Sequence, residues 1–125
     1  MVNLTSWDAD PISEFKKFVL TTDFTKTSSR LPVDSIIKPV SLESAKTYTF
    51  MFANLANWIA DQDKTLSTLD QFDLVRFINR TANGKRVLNS KIAYRYLRLL
   101  ERCYDHLSIV PNPARQTLAS TTREI

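Results

Sequence analysis

Apolar residues recur every three or four positions in three stretches of this chain, and polar or helix-breaking residues bound each stretch. The longest runs over roughly 42–62, where Ala45, Tyr48, Phe52, Leu55, Trp58 and Ile59 share one side of a helix capped by Ser41. A second covers about 70–81. Asp70 caps it, Asp73 at the third helical position completes a capping box, and Phe72, Leu74, Val75, Phe77 and Ile78 supply its buried side. Asn83-Gly84 reads as its stop, since both residues tolerate a left-handed backbone. The third stretch spans about Asn89 to Leu107, with Ile92, Tyr96, Leu99, Leu100, Cys103 and Leu107 facing the core.

Weaker patterns flank these three. Asp10-Pro11 followed by Ile12, Phe15, Phe18 and Val19 predicts a short helix opened by its cap and its proline. Residues 21–40, rich in Thr and Ser and broken by Pro32 and Pro39, read as an extended connector with Leu31, Ile36 and Ile37 turned toward the core. Pro111-Asn112-Pro113 stops the third stretch, and 114–124 can form a last, weak helix. The expectation is an all-α fold, a small bundle of four to five helices packed orthogonally. It divides into a short helix and connector (1–40), a helical domain (41–113) and a C-terminal linker (114–125).

Composition narrows the picture. One Gly in 125 residues leaves little material for tight turns, which argues against an all-β fold. A single Cys excludes an internal disulfide. No run of apolar residues is long enough to span a bilayer, and the acidic start, MVNLTSWDADP, is unlike a signal peptide. No membrane partner and a cytoplasmic location are therefore expected.

Charge adds more. The net charge is +4, but between Arg76 and Arg102 there are eight basic residues and one acid, Glu101. Lys91, Arg95, Arg98 and Arg102 follow one another at spacings of four, three and four, which lines them up along one helix face. Such neighbours repel by a few tenths of a kcal/mol per pair, roughly, unless a counter-charge arrives. Arginine's planar fork suits phosphate oxygens or the guanine edge. Lys85 and Arg86 add a basic loop just before this helix. At the start of the 42–62 helix, Ser41, Ser44, Lys46 and Thr47 form a smaller polar cluster near free backbone N–H groups, although capping alone accounts for Ser41. The residues leave open three uses for the basic stripe: nucleic acid, an acidic protein partner, or plain solvation.

Candidate chemistry is sparse. His106 falls at a helix end, where a cation would complement the dipole. Cys103 lies on the apolar stripe as a small core residue. With His106 it lacks the further ligands a zinc site needs. Asp61 and Asp63 read as solvated, and Trp58 has core spacing. No catalytic residue, metal or cofactor is expected.

The ordered pattern resembles the N-terminal, SAM-like core-binding domain of tyrosine recombinases and phage integrases. The resemblance runs through Ser41, Ser44, Tyr48, Phe52, Leu55, Trp58 and Ile59, then Leu66, Leu69, Asp70, Asp73, Leu74, Phe77 and Ile78. It continues through Arg95, Leu97, Leu100, Cys103, Tyr104 and Leu107 to Asn112-Pro113, so it covers residues 41–113. Ile92 and Glu101 depart from the family, which commonly has Thr and a basic residue there.

The resemblance implies double-stranded DNA as partner, held in a clamp closed by a C-terminal catalytic domain of the same parent protein. It makes Ser44, Lys46, Thr47, Lys91, Arg95 and Arg98 contact candidates, beside Lys85, Arg86 and Arg102 from the charge pattern. The family's tyrosine nucleophile and His-x-x-Arg motif have no match in the sequence: Ile109 stands three residues after His106, and none of Tyr48, Tyr94, Tyr96 or Tyr104 fits. A monomeric, non-enzymatic DNA-binding module is the resulting expectation. A helical module for an acidic partner is the alternative, and a dimeric transcription regulator reading a palindrome is a third.

Overall fold

Side-chain oxygens set the helix starts in the computed structural model, which describes residues 3–26 and 37–123, with side chains of the last helix as far as Ser120. Asn3 opens α1 (Leu4–Ala9) and Asp10 opens α2 (Pro11–Val19), each accepting from the backbone N–H three residues on. Ser41 does the same for α4 (Leu42–Asp61), Asp70 for α5 (Gln71–Ile78) and Asn89 for α6 (Ser90–His106). Asn112 accepts from the amides of Ala114 and Arg115, both at 3.1 Å, to open α7 (Pro113–Arg123). The short α3 (Thr22–Lys26) completes seven helices among the described residues. The fold is all-α, as the periodicity predicts.

Three local expectations change. The Asn83-Gly84 pair does not end a helix. α5 stops at Ile78, and the pair turns a two-residue hairpin between β1 (Thr81–Ala82) and β2 (Lys85–Arg86), with φ of 55° and 77°. Both residues in the left-handed region is what such a tight turn demands, and the chain's one glycine stands there. Phe72 is 68% exposed and Val75 39%, because α5 turns Asp73, Leu74, Phe77 and Ile78 inward and these two lie round the other side. Ile92, in the first turn of α6, is likewise exposed.

The segment before Ser41 is part of the core. Phe15 of α2 stacks on Phe52 of α4 with ring centroids 4.4 Å apart, and Trp7 of α1 meets both Phe18 and Phe52 edge-on. Phe24, fully buried, brings α3 into the same cluster, so residues 22–26 are helical rather than extended. Ile37 is exposed at the edge, and Leu31 and Ile36 lie outside the described residues.

His106 also departs from expectation. Its ring stacks on Phe18 at 4.0 Å beside Trp7, and burial holds its pKa below the usual histidine value, so it serves as a neutral aromatic rather than a dipole-complementing cation. Cys103 is fully buried among apolar side chains, as predicted, and that burial pushes its thiol pKa well up.

Candidate nucleic-acid interface

The eight cations between Arg76 and Arg102 separate into two sets. Four are engaged with the protein. Arg76 pairs with Asp73 and Arg80 covers its own helix end over Phe77, donating from Nε to the Phe77 carbonyl at 2.9 Å. Arg98 pairs with Glu101, three residues on. Arg102 lies over the Phe24 ring, 4.7 Å from its centroid; burial lowers its pKa, and its Nε is buried without a hydrogen-bond partner among the described residues.

The full-length stripe of free guanidinium groups is therefore corrected. Arg98 and Arg102 are half-buried and partnered, and two neighbours explain why. Glu101, itself 9% exposed, binds Arg98 and also Arg115 of α7, while Phe24 of α3 supplies the surface over which Arg102 folds.

The other four, Lys85, Arg86, Lys91 and Arg95, are exposed. Among the described residues none of them forms an ion pair; Arg86 makes one 3.3 Å hydrogen bond to the Ile78 carbonyl. They run from β2 into the first two turns of α6, whose opening turn carries no acid. A helix start is the positive end of its dipole, so cations there are unfavourable until an anion arrives.

Arg95 also meets the start of α4. Glu43, Ser44, Thr47 and Tyr48 of α4 and Arg95 of α6 line one polar recess of 290 Å³. The two sequence clusters, separate along the chain, thus share a site. Within it the hydroxyls differ. The Ser44 oxygen accepts from the Ser41 hydroxyl at 3.1 Å, leaving its own proton available. The Thr47 hydroxyl donates to the Glu43 carbonyl at 3.3 Å, so it offers only lone pairs and is a poor phosphate donor. No family model, curated protein or solved structure matches the chain.

Lys46 does not join the recess. It lines a groove on the other side of α4, with Leu42, Ala45 and Thr49. At 100° per residue, positions 43, 44, 47 and 48 make one face of α4, and 42, 45, 46 and 49 the opposite one. That geometry was available from spacing alone and also adds Glu43 and Tyr48 to the site, the latter read only as core from the sequence. Among the described residues no three His, Cys, Asp or Glu side chains are grouped to hold a metal, and no helix is long and apolar enough to cross a membrane.

Proposed function

We propose that this chain is a duplex-DNA-binding module, the core-binding part of a site-specific tyrosine recombinase, which positions the enzyme on its recombination site. The supporting observation is the clustering of unpaired cations at one end of α6, with Arg95 opening onto the polar first turns of α4. Lys85, Arg86, Lys91 and Arg95 supply phosphate contacts, and Ser44 adds a hydroxyl donor at a helix N-terminus. Arg95, with its two-pronged fork inside a recess, is the residue suited to a base edge. Arg98 and Arg102 hold the helix in place and leave the contact surface. The DNA-cleaving chemistry belongs to a separate catalytic domain of the parent protein, and the reading carries a cytoplasmic location with it.

Fluorescence anisotropy on a labelled duplex tests this directly. Each phosphate contact contributes a slope of about −0.9 in log affinity against log salt, so Lys91→Ala/Arg95→Ala should flatten the slope by about 2. The melting temperature should stay unchanged, because both side chains are exposed and unpaired. An unaltered slope and affinity would overturn the proposal. Tighter binding of polyglutamate than of duplex at equal charge would replace it with an acidic protein partner.

A further inference from the structure

A second surface lies on the far side of α4. Val19 and Ala45, both buried, form the floor of a 360 Å³ groove between α2 and α4, and Leu20 and Leu42, 50% and 72% exposed, stand at its edges. The Thr49 hydroxyl is committed to the Ala45 carbonyl at 2.7 Å, so this residue adds its methyl group rather than a free donor. Phe50, one turn beyond Lys46 and 69% exposed, extends the apolar surface of α4. Exposed large apolar side chains grouped around a groove mark an interaction site more often than scattered ones do.

The rim charges choose the occupant. Lys16 on α2 and Lys46 on α4 line the groove, and neither forms an ion pair among the described residues. The neighbouring Lys17 is held by Glu14 at 3.6 Å, and Glu43 lies on the opposite face of α4. Among the described residues no acid lines the groove, and Leu42 stands at the positive end of α4. A partner therefore needs apolar side chains for the floor and carboxylates for both rims. A groove between two packed helices is filled by anchors at i, i+3 or i+4 and i+7, the repeat of a third helix.

We propose that the α2–α4 groove docks an acidic amphipathic helix of a partner protein. This inference does not rest on the DNA reading, since the two surfaces share no residue. It reassigns Lys46 from the nucleic-acid face to the rim of the groove.

The test uses the full chain, ¹⁵N-labelled, and a synthetic helical peptide of roughly 14 residues, about four turns. The peptide carries Leu at the anchor positions and Glu on both flanks; a second peptide has Lys in place of every Glu. The Glu peptide should shift the amide signals of Lys16, Leu20, Leu42, Lys46 and Thr49. Its affinity should fall about tenfold or more in Lys16→Glu/Lys46→Glu, which should in turn favour the Lys peptide. All four of these lysine and leucine rim positions other than the floor are exposed, and unchanged melting curves would confirm that the variants fold.

Equal binding of the two peptides, signal shifts confined to another surface, or no binding at millimolar peptide would each overturn the proposal. So would self-association of the free chain in sedimentation that Leu42→Asp abolishes, because the occupant would then be a second copy.

Discussion

Asp73 shows how one side chain can hold several elements together. Burial alone would raise its pKa, yet the Lys64 ammonium at 2.7 and 2.8 Å, the Asp70 amide at 3.0 Å and Arg76 bring it down from 3.8 to about 2. A carboxyl depressed in the folded state stabilises it above the ordinary carboxylate pKa. That contribution, about 2 kcal/mol, is lost as pH falls from about 4 toward 2. Urea unfolding at stepped pH should show the loss, and Asp73→Asn should be less stable at neutral pH by about 2 kcal/mol while losing less on acidification. A variant with the same acid limb as the parent chain would refute this account. The capping box itself is plain from Asp70 and Asp73 three residues apart; the Lys64 contact is not, because it depends on how the loop after α4 folds back.

Among the elements, what periodicity revealed and what it hid have a common cause. α4 and α6 were legible because their apolar residues repeat over several turns, and Cys103 fell on the core face by that repeat alone. The Arg98–Glu101 pair was open to reading from the three-residue spacing within α6, whereas the fate of Arg102 was hidden, since it depends on Phe24 lying against α6. Phe24 belongs to α3, in a segment with no helical repeat to announce it. Phe72 misled for a different reason: α5 has only eight residues, and five apolar side chains cannot all face one way. The hairpin was misplaced because Asn-Gly serves a helix end and a tight turn equally well. Gly84 has φ +77° and an added Cβ would meet nothing within 4 Å, so Gly84→Ala should cost about 1 kcal/mol through backbone strain alone. Thermal melting that leaves this variant at or above the parent's midpoint would contradict the turn geometry.

For the molecule as a whole, the core does not respect the boundaries of the 41–113 segment. Trp7, Phe15, Phe18 and Phe24 pack with Phe52, and Ala114 and Thr117 are buried at the other end. Arg115 ties α7 to α6 through Glu101 and Asp105, while Asn112 donates to the Glu101 carbonyl at 3.0 Å. A fragment spanning only 41–113 therefore leaves the Phe52 ring and the α7-facing side of α6 uncovered. It should lack the cooperative melt expected of the full chain; a sharp transition in its circular dichroism would refute this reading of the core.

The fully buried thiol of Cys103 turns that interdependence into something that can be timed. It is the chain's one cysteine, it sits in the last turn of α6, and its raised pKa keeps it in the unreactive form. An alkylating reagent can reach it only when the surrounding helices part. The rate of labelling is thus a clock for how often the native packing opens, and it reads the intact protein without any engineered residue.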